Sequence, residues 1–183
     1  SSTTYAKTVA TPNLAEQKSP RVLAYYVSWQ GDYRADDIPY NQLTHINHAF
    51  LLPQADGSLF IPKGPPAYVE PMLVEKTHAA GVKVLAAIGG YGGSENFPTI
   101  ARDPQLRAAF ADNIAAFLRE NEYDGVDIDW EFPQNATDRA NQTLLIQTIR
   151  DKFDASPQPG PTWLISMAVV ASNWSGQWND YAA

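Results

Sequence analysis

The sequence predicts an α/β fold in which short strands alternate with helices around a parallel sheet. Five runs are short, mostly apolar and bounded by Gly, Pro, Asn or Asp, which is typical of buried strands. Amphipathic stretches of helical period separate the later runs. Strand, helix and strand at this pace indicate βαβ units, and these units place their strands parallel to one another.

The five strands are predicted because these segments are rich in apolar, β-branched and aromatic residues. They cover residues 22–28, 47–52, 82–88, 126–131 and 163–169. His45 and Ile46 lead into the second run, and Gly89 and Gly90 end the third. The region from 31 to 43 is less regular than the segments that follow it.

Three helices are predicted between these strands. The first covers about 68–80 and stops at Gly81, since glycine suits a helix C-cap. The second begins at Asp103, which can cap it, and Pro104 suits its first turn. The third covers about 138–153. The apolar stripes of the last two helices consist of Leu106, Phe110, Ile114, Phe117 and Leu118, and of Leu145, Ile149 and Phe153.

Composition and charge narrow the classes of function. The 183 residues carry 13 Lys and Arg against 20 Asp and Glu, a net charge of −7, which disfavours nucleic acid and anionic membranes as partners. Cysteine is absent, so no disulfide, thiolate metal site or cysteine nucleophile is expected. No apolar run approaches the roughly 20 residues of a membrane span. We expect residues 1–19 to form a polar arm or linker and 20–183 to form the folded domain.

An acidic strand dominates the candidate chemistry. Alternate side chains of a strand share a face, so Asp127, Asp129 and Glu131 point one way, each roughly 6.6 Å from the next. Like charges this close cannot all ionise freely, so at least one carboxyl pKa should rise, as a general acid requires. A metal site for hard cations and a purely structural acidic face remain the alternatives. Catalysis is favoured because a central parallel strand is normally apolar on both faces.

Several motifs together resemble one enzyme family. The acidic pattern spans 124–131 as D-x-x-D-x-D-x-E and is followed by Phe132 and Pro133. It resembles the signature of glycoside hydrolase family 18, the chitinase-type barrels. The segments 24–26, 46–50 and 88–91 resemble the first three strands of that family, in the right order. The resemblance covers about residues 21–171.

The resemblance implies a (β/α)8 TIM-barrel fold, of which about the first five strands lie in this chain. It further implies retaining hydrolysis of β-1,4-linked N-acetylglucosamine, in chitin or chitooligosaccharides, with the substrate's own acetamido oxygen as nucleophile. Glu131 would protonate the glycosidic oxygen. Asp129 would orient the acetamido group, and Asp127 would share a proton with Asp129. No metal and no organic cofactor are implied.

The same resemblance implies the sugar-binding and supporting residues. The residues expected around the scissile sugar are Tyr25, Phe50, Gly90 and Tyr91, and the expected motif support is Asp124 and Gly89. Ordinary barrel packing is the competing interpretation for Tyr25 and Phe50, and a tight turn is the competing one for the glycines. His48 is expected on the same strand face as Phe50, as a core histidine.

Two departures from the family bear on activity. Ala87 stands where the family usually has a serine that hydrogen-bonds the innermost aspartate, and we expect this to have a modest effect. The family's sixth-strand Tyr and Asp and its eighth-strand Trp have no counterpart in this sequence. Because five strands cannot close an eight-stranded barrel, we expect a fragment of a longer protein, or association with a second chain or second copy at an open edge.

Rival functions remain on the same scaffold. An endo-acting enzyme on N-glycans shares the acidic motif, and a sugar-binding lectin or a non-catalytic fragment would bind without hydrolysis. Lectin-like relatives usually lose the catalytic glutamate, whereas Glu131 is present here. Secretion is expected because a polymeric substrate lies outside cells.

Overall fold

The computed structural model describes residues 20–27, 29, 31, 33–62, 72–156, 161–172 and 176–179. The predicted arm at 1–19 and the start of the predicted helix at 68–80 lie outside these residues. Within the described part of the chain, no helix is long and apolar enough to cross a membrane.

The described residues form a parallel sheet with one short antiparallel addition. Its strands are β1 (Leu23–Val27), β2 (His45–Pro53), β3 (Leu59–Phe60), β4 (Lys83–Gly89), β5 (Gly125–Asp129) and β6 (Leu164–Met167). The order across the parallel sheet is β1-β2-β4-β5-β6, and β3 pairs antiparallel with the end of β2. The predicted α/β class is therefore confirmed, and β1 and β6 are the edge strands of the described sheet.

Helices connect the parallel strands. They are α1 (Leu73–Ala79), α2 (Phe97–Arg102), α3 (Pro104–Glu120) and α4 (Ala136–Ala155), with 3-10 turns at Ala35–Asp37 and Tyr40–Gln42. The predicted cap of α3 is confirmed, because the Asp103 carboxylate accepts from the amides of Gln105 and Leu106. The third predicted helix begins two residues early, because Asn135 caps it by accepting from the Asp138 amide. The sequence did not predict α2, β3 or the two 3-10 turns.

The core lies between the sheet and the helices. The outward face of β5 buries Val126 and Ile128 completely, and the adjoining Trp130 ring stacks on Phe97 of α2 with centroids 5.7 Å apart. The predicted apolar stripe of α4 is fully buried, as is most of that of α3. Apolar burial of this kind contributes about 25 cal/mol per Å² to folding. It fixes one face of β5 against the helices and leaves the other for the acidic side chains.

A register shift in β2 corrects one prediction. His48 does not share a face with Phe50, because the pairing of β2 with β4 shifts between His48 and Leu51. His48 packs between the rings of Tyr26 and Tyr123 and bonds the Tyr123 hydroxyl at 2.7 Å. Phe50 instead lies beside Tyr25, on the opposite face of the sheet. The interpretation of His48 as a core histidine agrees with its burial.

Gly125 opens β5 at a point of close contact with β6. A Cβ atom at this position would overlap the backbone carbonyl of Leu164, its register partner on β6. Only the absence of a side chain allows the two strands to approach this closely. The glycine of the acidic motif therefore sets the spacing between β5 and β6.

Candidate active site

Asp127 lies at the centre of the acidic strand and is almost completely buried. Tyr25 Oη donates to its Oδ2 at 2.6 Å, and Ser166 Oγ donates to its Oδ1 at 2.6 Å. Asn47 supplies a further side-chain hydrogen bond. These partners come from β1, β6 and β2, so three strands converge on one carboxylate.

The pKa of Asp127 is raised because burial disfavours its charged form. The hydrogen bonds from Ser166, Tyr25 and Asn47 oppose that rise, since each stabilises the carboxylate. Burial and the neighbouring Asp127 also raise the pKa of the Tyr25 phenol, so this hydroxyl stays a donor across the physiological range.

Asp129 lies two residues after Asp127, on the same face of the strand, and is 3% exposed. Burial, the charges of Glu131 and Asp127 and a hydrogen bond to Glu131 raise its pKa to about 7. Its Oδ1 is buried without a hydrogen-bond partner among the described residues. The predicted rise of a carboxyl pKa on this strand is therefore confirmed, at Asp127 and Asp129. The side chain of Asp129 is hydrogen-bonded to Glu131. The proton sharing with Asp127 that the resemblance implies stays a prediction.

Glu131 lies two residues beyond the end of β5, which corrects the predicted strand of 126–131. Its backbone amide donates to Ser94 Oγ at 3.1 Å, and that hydroxyl lies 3.0 Å from the carbonyl oxygens of Gly90 and Asp129. Ser94 thus joins the loop after β4 to the segment that carries Glu131. Ser94 was not predictable from the sequence, because a loop serine carries no periodic signal.

Aromatic rings flank the carboxyl cluster. The ring centroids of Tyr25 and Phe50 are 6.0 Å apart, and that of Trp29 lies 6.1 Å from Phe50. Gly90 has φ +81°, and a Cβ there would lie 2.8 Å from the Phe50 ring, so only glycine fits beneath it. Tyr91 is 97% exposed. The structure brings Tyr25, Phe50 and Gly90 together and leaves Tyr91 in solvent. It also places Trp29, which was not among the predicted site residues, beside Phe50.

Gly89 joins the ends of β4 and β5. It adopts φ +106°, and a Cβ on it would meet the Asp129 carbonyl and the Phe97 ring. The next amide, of Gly90, donates to that same Asp129 carbonyl at 2.9 Å. The pair of glycines therefore holds the backbone beside Asp129 in a tight turn.

Asp124 lies at the opposite end of β5 from the cluster. Its carboxylate accepts from Lys83 Nζ at 2.6 Å and from the Val84 amide at 2.9 Å, and it bonds His78 Nε2 at 2.8 Å. Burial acts to raise the pKa of Asp124, but these donors outweigh it and hold the pKa below its ordinary value. Asp124 therefore ties α1, β4 and β5 together as a charged group.

The described residues contain no group of three or more His, Asp or Glu side chains arranged to hold a metal ion. The clustered carboxyl side chains can take part in proton transfer. Two hydrogen-bonded carboxyls with one pKa near 7 can keep a proton at neutral pH and release it to a nearby oxygen.

A parallel βα sheet with a carboxyl cluster at the C-terminal ends of its strands is the arrangement found at the sites of (β/α)-barrel proteins. The chain belongs to the glycosyl hydrolases family 18, whose family model matches residues 21–183. The resemblance drawn from the acidic motif is therefore confirmed, and so is the barrel class of the fold.

Relatives and solved structures agree with this assignment. The chain is 30% identical to chitinase 1 of Aphanocladium album, over 80% of the chain and 41% of the relative. It is 33% identical to a chitinase-like effector of Moniliophthora roreri, over 72% of the chain and 30% of the relative. The crystal structure of an immunomodulatory active chitinase from Trichuris suis matches with TM-score 0.73 and 26% identity, over 81% of the chain and 43% of that structure. The chain thus spans less than half the length of these proteins.

Proposed function

We propose that the protein to which this chain belongs hydrolyses β-1,4 linkages between N-acetylglucosamine residues, with chitin or its oligosaccharides as substrate. The observation that carries the proposal is the hydrogen-bonded pair of Asp129 and Glu131 at the end of β5, with the pKa of Asp129 raised to about 7. Membership of the family and the chitinases among the relatives support the same chemistry.

The proposed reaction begins with Glu131 as general acid. Its proton passes to the glycosidic oxygen while the substrate's acetamido oxygen attacks the anomeric carbon, and the bond to the leaving sugar breaks. Water then opens the cyclic intermediate at the same carbon and returns a proton to Glu131, so configuration is retained. The buried Oδ1 of Asp129, which lacks a partner among the described residues, is suited to accept from the acetamido N–H and orient that group.

The proposed sugar contacts are Tyr25, Phe50, Gly90 and Tyr91. The rings of Tyr25 and Phe50 lie side by side and present apolar surface on which a sugar ring can pack. Gly90 has no side chain, so the Phe50 ring can pack closely against it. Tyr91 is almost fully exposed, so its ring can contact a ligand. Asp127 supports Asp129 electrostatically, and Asp124 and Gly89 support the strand that carries both.

The test is release of a fluorogenic leaving group from an N-acetylglucosamine oligomer by the wild-type protein and by the Glu131→Gln variant. We expect the variant to lose about a thousandfold in turnover, as loss of a general acid does. Glu95→Gln, at an exposed carboxyl in the loop after β4, is the matched control and should keep full turnover.

Equal release from wild type and Glu131→Gln would contradict the proposed catalysis. Retention on chitin beads without any release would instead support a lectin-like function. A comparison of chitotetraose with an N-glycan core as substrates separates a chitinase from an endo-acting enzyme on glycoproteins. Each outcome assigns one function on the same scaffold.

We further propose that a second copy or another chain covers an edge of the described sheet. Val22, Leu23 and Tyr25 of the β1 side are each more than 40% exposed, and an unpaired parallel edge presents backbone donors and acceptors. Sedimentation equilibrium of the 183-residue chain should give a species heavier than 20.1 kDa at micromolar concentration. A stable monomer would contradict this association.

An extracellular location is proposed because chitin lies outside the cells that degrade it. Immunoblotting of culture medium and washed cells from the source organism should find the protein in the medium. Detection in the cell fraction alone would contradict secretion.

A further inference from the structure

Asp127 sits between two register partners that differ by a single hydroxyl. In the parallel pairing, Ala87 of β4 lies opposite it on one side and Ser166 of β6 on the other. Register partners in adjacent strands point to the same face of a sheet. The β4 partner offers Asp127 only a buried methyl group, whereas the β6 partner donates a hydrogen bond at 2.6 Å.

The two oxygens of Asp127 are held by different hydroxyls. Ser166 donates to Oδ1, and Tyr25 of β1 donates to Oδ2 at 2.6 Å. Two donors on the two oxygens fix the carboxylate plane, and charge-assisted hydrogen bonds of this length are among the stronger ones. Removal of Ser166 Oγ would therefore leave Oδ1 buried without that donor, because no hydroxyl stands at position 87 to replace it.

The orientation of Asp127 bears on the proton-donating pair. The charge of Asp127 is one of the causes that raise the pKa of Asp129, and Asp129 is hydrogen-bonded to Glu131. A hydrogen-bond donor that keeps Asp127 charged and oriented therefore affects how tightly the pair of Asp129 and Glu131 holds its proton. No described contact joins Ser166 directly to Glu131, so its effect would pass through the two aspartates.

We propose that Ser166 is a positioning residue that holds Asp127 from β6, on the side opposite the Ala87 methyl group of β4. The catalytic consequence rests on the proposed function, whereas the effect on Asp127 does not. Among the described residues, the titratable groups placed beside Asp127 are Tyr25 on β1 and Asp129 at the end of β5. Its neighbours Asn47, Ala87 and Ser166 do not titrate.

The first test measures the carboxyl titrations of ¹³C-labelled aspartates by NMR in the 183-residue chain, with Asp127→Asn used for assignment. Ser166→Ala should raise the apparent acid pKa of Asp127 by about one unit, a tenfold change in its dissociation constant. Ser166→Thr keeps the hydroxyl and should titrate like wild type. The double variant Ser166→Ala with Ala87→Ser moves the hydroxyl to the opposite strand and should restore the wild-type value.

Ser156→Ala is the matched control, since it removes a partly buried serine hydroxyl bonded to the Lys152 carbonyl at the end of α4. It should leave the Asp127 titration unchanged. If Ser166→Ala does not fold, Ser166→Cys replaces it, with the same expected direction because a thiol is a weak donor. An unchanged Asp127 titration in the folded variant, or no recovery in the double variant, would overturn the proposal.

The second test measures turnover on the fluorogenic oligomer, in the protein that carries the activity. Ser166→Ala should lower kcat about tenfold with little change in KM and shift the pH profile, and the double variant should recover both. A loss confined to thermal stability, with kcat and the pH profile unchanged, would overturn the catalytic part. An inactive wild type would refute the proposed function alone, and the NMR titration would still decide how Ser166 acts on Asp127.

Discussion

The two ends of β5 each carry an aspartate, and the surroundings of these two aspartates shift their pKa values in opposite directions. At its start, Asp124 is surrounded by donors, including a lysine and a histidine, and its pKa is lowered. At its end, Asp129 has carboxyl neighbours and a buried oxygen that meets no hydrogen-bond partner in the part of the chain the structure describes, and its pKa is raised to about 7. Only four residues separate the two aspartates, so the neighbouring strands and helices decide what each carboxyl does.

The difference follows the general division of βα barrels into a stabilising face and a functional face. The N-terminal ends of the strands carry interactions that hold the fold, and the C-terminal ends carry the chemistry. A carboxylate that is neutralised by cations contributes stability, whereas one held beside other carboxyls costs stability and keeps a proton. One eight-residue motif therefore contains both an acid whose contacts hold the fold and a group of acids to which the proposed chemistry is assigned.

Between the two aspartates, the larger expected effect comes from Asp129→Asn at the C-terminal end of β5. Turnover should fall about a hundredfold, because the amide cannot stabilise the positive charge that develops on the substrate. The effect of Asp129→Asn on the free energy of unfolding should depend on pH. Relative to wild type, the variant should be more stable at high pH than at low pH. A raised carboxyl pKa contributes stability below about pH 4 that is lost as pH rises through about 7, and the amide does not titrate.

The measurement for Asp129→Asn is chemical unfolding at pH 4 and pH 8, together with turnover. Relative to wild type, the variant should gain on the order of 1 kcal/mol between the two pH values, a figure that allows for screening by solvent. A stability difference that is the same at both pH values would show that Asp129 does not hold a raised pKa.

A smaller effect, on stability, is expected from Asp124→Asn at the structural end. The unfolding free energy should fall by about 2 kcal/mol near pH 7, since a charged acceptor shared by three donors is lost. A lowered carboxyl pKa contributes stability above about pH 4 that is lost as pH falls through the folded value. The variant and the wild type should therefore converge in stability as pH falls below 4.

Turnover of folded Asp124→Asn provides the contrast with Asp129→Asn. At a temperature well below its unfolding midpoint, kcat should stay within about threefold of wild type, because Asp124 does not touch the carboxyl cluster. A hundredfold loss in fully folded protein would mean that the two ends of β5 are not separate in function.

The sequence predicted the acidic face correctly because strand alternation is a local property. Asp127 and Asp129 point to one face, and Val126, Ile128 and Trp130 point to the other, as two-residue periodicity requires. The partners of these acids were not predictable in the same way. Asn47, Ser94 and Ser166 reach the cluster through strand pairing and a loop, and single polar residues carry no sign of what they will contact.

Irregular backbone explains the remaining differences. Alternation predicted that His48 and Phe50 share a face, and a shift in the pairing of β2 with β4 placed them on opposite faces. Such a shift depends on tertiary contacts that the local sequence does not encode. The end of β5 was misplaced for a related reason, since Glu131 is held by a serine from another loop rather than by strand pairing.

Gly125 bears on how this protein tolerates mutation. The residue has no functional group, yet any side chain there would collide with the Leu164 backbone and separate β6 from β5. That separation would withdraw Ser166 from Asp127, whose register partner it is. In a saturation library selected for activity, position 125 should be depleted of every substitution as completely as position 131. The glycine matters at this position because it has no side chain.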